Sequence, residues 1–97
     1  MRDRITEDHL KRYLDLTGKA LERLSVAAPN RSFGRRLAED FLEMANSYYS
    51  DAKHFMEKQD FVNAFACINY SHGWLDCGAR LGLFDVGGDD QLFTLFE

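Results

Sequence analysis

Between Phe61 and Phe84 this chain carries only two charged residues, Asp76 and Arg80, and that near-absence of charge constrains the fold more than any other feature. The segment is free of proline and long enough for several helical turns, so it reads as one helix over 61–84. Asp76 and Arg80 stand four apart and share a single small patch. Nearly every other direction is apolar. Phe61, Ala64, Phe65, Ile68, Leu75 and Ala79 form one stripe, and Cys67, Tyr70, Trp74 and Leu81 form a second. A helix with two apolar faces needs cover on both. Cys67, Ser71, Gly78 and Gly82 repeat small side chains at four- and seven-residue intervals, a pattern that lets a neighbouring backbone come close.

The neighbours are legible in the same way. Thr6 precedes Glu7 and Asp8, a hydroxyl cap followed by acids suited to the positive end of a helix dipole. From there Leu10, Tyr13, Leu14, Thr17, Leu21 and Leu24 recur every three or four residues, which predicts a helix over about 6–26. Pro29, the only proline, interrupts it. A second periodic face, with Leu37, Phe41, Met44, Ala45, Tyr48, Ala52 and Phe55, predicts a long helix over about 31–58. Gln59 and Asp60 leave a very short connection, with Asp60 placed to cap the next helix, so the second and third helices are expected to form an antiparallel hairpin. The fold class is therefore an all-α, up-and-down three-helix bundle in a single domain over 1–97. In the final stretch, 85–97, Gln91-Leu92-Phe93-Thr94-Leu95-Phe96 is too apolar for a solvated tail and is expected to pack on the bundle or on a partner.

At 97 residues, with 45% hydrophobic and 13% aromatic content, the chain can build one core and offset its ordering entropy. Sixteen acids against twelve bases give a net charge of -4, which disfavours nucleic-acid phosphate as a partner. No stretch is apolar enough to span a bilayer, and the charged start, Met1 to Asp8, contains no signal-like run, so a cytoplasmic location is expected. Cys67 and Cys77 lie about 15 Å apart along one helix, beyond disulfide reach, as suits reduced thiols.

The run Tyr48-Tyr49-Ser50-Asp51-Ala52-Lys53-His54-Phe55-Met56-Glu57-Lys58-Gln59-Asp60-Phe61-Val62-Asn63-Ala64-Phe65-Ala66-Cys67-Ile68-Asn69-Tyr70-Ser71-His72-Gly73-Trp74-Leu75-Asp76, continuing through Gly78-Ala79-Arg80-Leu81-Gly82-Leu83-Phe84, resembles the archaeal family of domain of unknown function three-five-seven. The likeness covers most of the chain and is densest from Tyr48 to Phe84. It implies a left-handed bundle and an archaeal cytoplasmic source. It implies no activity, because the family has no assigned function or catalytic motif.

Candidate polar sites are few. Asp51 and His54 stand one turn apart, as in carboxylate-bridged metal sites of bundles, but a single pair is too few ligands, so no metal is expected. Glu39 and Glu43 make a similar pair with the same reading. His72, Asp76 and Arg80 form the best polar ridge, suited to an anion, to a partner, or simply to water. Helical ribonuclease domains of the HEPN class place an arginine four to six residues before such a histidine. Ala66, Cys67 and Ile68 stand there instead, so that route to cleavage is absent. Arg31, Arg35 and Arg36 cluster where the second helix begins and could hold a phosphate against free backbone amides. Gly87-Gly88 has no strand–helix context for a phosphate loop, and Cys67 and His72 point in different directions on their helix.

No nucleophile, base and orienting group occur in a recognisable arrangement, so no catalytic residue and no cofactor is assigned and the chain is not expected to be an enzyme. The excess apolar surface points to a non-catalytic interaction module, a homodimer or an adaptor, with Tyr49, Tyr70, Trp74, Phe93 and Phe96 as anchoring aromatics. The alternative is a nucleotide- or RNA-associated helical domain without nuclease activity, using the arginine cluster or the His72 ridge.

Overall fold

The computed structural model describes residues 5–87. Three helices, α1 (Glu7–Arg23), α2 (Phe33–Glu57) and α3 (Phe61–Arg80), form an all-α three-helix bundle with its most extensive packing between α2 and α3. α1 and α3 begin at the expected caps, Thr6 and Asp60, and α2 begins at Phe33 behind Ser32, two residues later than expected. Thr6 accepts from the His9 amide (3.1 Å), Ser32 from the Arg35 amide (3.0 Å), and Asp60 from the Asn63 amide (3.3 Å). A capping oxygen of this kind contributes about 1 kcal/mol.

The hairpin forms because α2 stops abruptly. Gln59 adopts a left-handed backbone (φ 62°), which lets its amide donate to the Met56 carbonyl and the Asp60 amide to the Phe55 carbonyl. Those two bonds satisfy carbonyls that the end of α2 would leave unpaired. The same device ends α3: Gly82 has φ 77°, its amide donates to Ala79, and the Leu83 amide donates to Gly78.

This second stop corrects the expected boundary, since α3 closes at Arg80 rather than continuing to Phe84. Leu83 and Phe84 turn back as buried core residues. Phe84 and Asp85 form a two-residue strand, β2, antiparallel to β1 (Ser25–Val26), and the Ala27 amide donates to the Leu83 carbonyl at 3.0 Å. Accordingly α1 ends at Arg23 rather than near 26, because the chain after it is needed in extended form. Two-residue strands have no sequence signal of their own.

The core lies in two clusters. At one end Leu10, Leu14, Ala52, Ala64 and Ile68 are buried together; at the other, Ala20, Ala38, Ala45 and Leu75 meet Leu83 and Phe84. These groupings set α1 antiparallel to α2 and parallel to α3. Between the clusters runs a polar layer. Ser71, fully buried, donates its hydroxyl to the Ala45 carbonyl at 2.7 Å, and Thr17 is 1% exposed. Ala38, Ala45 and Ala52, each seven residues from the next, line the buried face of α2. Their small side chains let α3 approach, as the run of Cys67, Ser71 and Gly78 on the opposing helix predicts.

Two substitutions test these contacts. A Cβ built on Gly78 would run into the Phe84 ring, itself packed in the core, so Gly78→Ala is expected to cost about 1–3 kcal/mol in urea unfolding. Gln59→Gly relieves a left-handed non-glycine and is expected to raise stability by about 0.5–1 kcal/mol in the same assay.

Candidate functional site

The His72 ridge predicted on α3 is present, but it faces α1. A hydrogen bond of 3.0 Å joins the Thr17 hydroxyl to His72 Nδ1, and His72 Nε2 lies 3.7 Å from Asp76 Oδ1. With the imidazole proton on Nε2, toward the carboxylate, Nδ1 accepts from the hydroxyl. Hydroxyl, imidazole and carboxylate in sequence resemble a nucleophilic relay. Here the hydroxyl is sealed in the core at 1% exposure, where no substrate can meet it. The arrangement clamps α1 to α3 through the polar layer. Thr17 has no place among the sequence's polar candidates, although a threonine within an apolar stripe requires a partner once buried. Arg80, one turn beyond Asp76, is exposed.

The arginine cluster separates in three dimensions. Arg35 is half-buried, with Nε donating to the Ala28 carbonyl at 3.2 Å and a terminal nitrogen 3.8 Å from Glu39. Its guanidinium braces the loop before α2. Arg31 occupies a left-handed turn position (φ 63°) and is exposed, as is Arg36. Asp51 and His54 are both exposed, and among the described residues no three His, Cys, Asp or Glu side chains converge to hold a metal ion.

The aromatic candidates divide as well. Tyr49 packs inside the bundle, between α1 and α2: a Cβ on Gly18 would come within 2.8 Å of its hydroxyl oxygen, and Lys53 Nζ sits 5.5 Å from its ring centre. That placement takes its ring away from the outer face of α3. Phe93 and Phe96, with the expected docking of 91–96, lie outside the described residues. Trp74 is half-buried with its ring edge-on to Phe41 (centroids 5.0 Å apart), and Tyr70 stacks on Tyr48 (5.2 Å) yet stays 61% exposed. Thus α2 covers Cys67 and Trp74 of the second apolar stripe and leaves Tyr70 and Leu81 open to solvent.

Tyr70 and Trp74 border a concavity. It is a groove of about 560 Å³ along the outer side of α3, lined by Tyr48, Ala66, Tyr70, Gly73, Trp74 and Cys77, with Asn69 at its edge. No charged residue lines it. Apart from Tyr48 its lining comes from α3, because Ala66, Gly73 and Cys77 lie on the side of the helix opposite buried Leu75 and Ser71. Gly73 is unusual there. It sits in mid-helix, where glycine is about 1 kcal/mol less favourable than alanine, and a Cβ on it would meet nothing within 4 Å. Packing among the described residues supplies no reason for a glycine at that position.

Burial raises the Cys67 thiol above its usual pKa, and the nearby Asp51 carboxylate adds to the shift. A raised pKa leaves less thiolate at neutral pH, and Cys67 is also the less accessible of the two free thiols. Iodoacetamide at pH 7.5 is therefore expected to alkylate Cys77 several-fold faster than Cys67, as read by peptide mass spectrometry. Thr17→Val keeps the shape of the side chain and removes the hydroxyl, and is expected to cost about 1–2 kcal/mol in urea unfolding.

No curated protein and no solved structure gives a significant match to this chain. Residues 12–84 match the family described as protein of unknown function (DUF357), a span that takes in most of α1, all of α2 and α3, and the start of β2. With that match over three-quarters of its length, the chain belongs to the DUF357 family.

Proposed function

We propose that this domain is a non-catalytic protein-interaction module, acting as a homodimer or as an adaptor, whose contact surface is the groove on the outer face of α3. The observation that carries the reading is the exposure of Tyr70 (61%) and Leu81 (62%) beside a concavity with no charged lining. Aromatic side chains at the edge of an apolar groove are the usual anchors of protein interfaces. The buried Thr17 hydroxyl and the absence of any charged group in the groove support a binding role over a catalytic one. Two free thiols fit a reducing, cytoplasmic setting. No helix of the described residues is long and apolar enough to cross a membrane.

A nucleotide- or RNA-associated role has less support. The Arg35 guanidinium is engaged with Ala28 and Glu39, and the net charge of -4 works against phosphate.

A photoreactive benzoylphenylalanine in place of Tyr70, compared with the same group in place of exposed Lys11, tests the reading in intact cells. A discrete adduct from position 70, absent from position 11 and lost when Leu81→Asp is added, is the expected result. Equal, diffuse labelling from both positions would remove the groove as a contact surface.

A further inference from the structure

We propose that the occupant of the α3 groove is α3 of a second copy, packed antiparallel about a twofold axis that passes between Ser71 and His72. This inference rests on the interaction-module reading and names its partner.

The argument begins with the outer face of α3. Val62, Ala66, Tyr70, Gly73, Cys77 and Leu81 are all exposed, and none is charged. In an antiparallel pair related by a twofold axis, a residue some distance before the midpoint lies level with the residue the same distance beyond it on the other copy. The six positions are symmetric under that operation. Tyr70 meets Gly73 of the second copy, Ala66 meets Cys77, and Val62 meets Leu81. The largest side chain faces the residue that has none, and two small residues face each other one turn further out.

Spacing supports the same register. Ala66, Tyr70, Gly73 and Cys77 are separated by four, three and four residues, the heptad rhythm of a helix–helix seam. Gly73 thereby gains the reason it lacks among the described residues: the open space over its Cα is where Tyr70 of the second copy would sit. Tyr48, stacked on Tyr70, holds that ring in place. At the rim the same operation sets Asn69 beside Trp74 and Asn63 beside Arg80, so like charges do not meet.

The available area sets the strength. The seam from Val62 to Leu81 is about 28 Å long at 1.5 Å per residue, and with the flank of α2 the contact face is about 20 Å wide. Two such faces bury on the order of 1,100 Å², above the roughly 1,000 Å² floor for a specific interface and below the typical size.

Sedimentation velocity of the full chain from about 2 to 200 μM, with three variants, tests the proposal. The wild-type chain is expected to pass from monomer to dimer over that range. Gly73→Leu is expected to weaken the dimer at least tenfold while its monomer melts at the same or a higher temperature, since nothing in one chain opposes the added side chain. Tyr70→Asp is expected to be monomeric throughout. Ala66→Cys, incubated with oxidised glutathione, is expected to give a covalent dimer through Cys77, whereas the wild-type chain is not, because its two Cys77 residues would lie about 16 Å apart along the seam.

A wild-type chain that stays monomeric at 200 μM, a Gly73→Leu dimer as tight as wild type, or failure of Ala66→Cys to cross-link would each overturn the proposal. A strict monomer in which Phe93→Asp shifts Trp74 fluorescence to the red would assign the groove to the chain's own 91–96 segment instead. A position-70 adduct to a different protein, with the purified chain monomeric, would sink the dimer and leave the interaction reading standing.

Discussion

The close approach of α2 and α3 is the contact on which the rest of this structure depends. A helix with apolar residues on two faces can be solvated only if one face is packed tightly enough to leave the other as a narrow strip. Ala38, Ala45 and Ala52 on one side and Ser71 and Gly78 on the other remove the side-chain bulk that would hold the helices apart. The Ser71 hydroxyl then reaches a backbone carbonyl of α2, a bond that a wider spacing would break. Leaving that buried hydroxyl unpaired would cost about 1–3 kcal/mol, so the bond fixes the register of the hairpin as well as its spacing.

The placement of α1 follows from that hairpin. It lies along the side of α3 that α2 leaves free, and the polar layer pins it through Thr17 and His72. A histidine that might have served as a base is thereby engaged with an interhelical hydroxyl and with Asp76. A part-buried hydroxyl–imidazole bond and a fully buried hydroxyl–carbonyl bond make other registers unfavourable. Thr17, His72 and Asp76, the polar groups most suggestive of chemistry, are in this way engaged with one another between α1 and α3.

Helix identity was legible because it depends on local signals: the caps at Thr6 and Asp60, the break at Pro29, and periods of three and four. Membership of the DUF357 family was legible in the hairpin residues for the same reason. The ends of α1 and α3 were not. Leu83 and Phe84 continue an apolar pattern, and the left-handed turn at Gly82, the buried site beside Gly78 and the pairing with Ser25–Val26 together draw them out of the helix. Tyr49 and Tyr48 are adjacent, chemically alike and both half-buried, yet one packs over Gly18 and the other flanks the groove. A rotation of about 100° per residue separates those fates, and the direction is settled by where α1 lies.

The sequence by itself decided that there would be three helices, that the last would have too much apolar surface for one partner, and that small residues would set its spacing. Those are properties of composition and period, which each segment carries whatever its neighbours do. Tertiary structure alone decided which of the two apolar faces is covered, that Arg35 braces a loop instead of joining its neighbours in an anion site, and that His72 answers to Thr17. Each of these depends on which elements meet, and burial, unlike helical period, is a property of pairs of segments that neither one encodes alone.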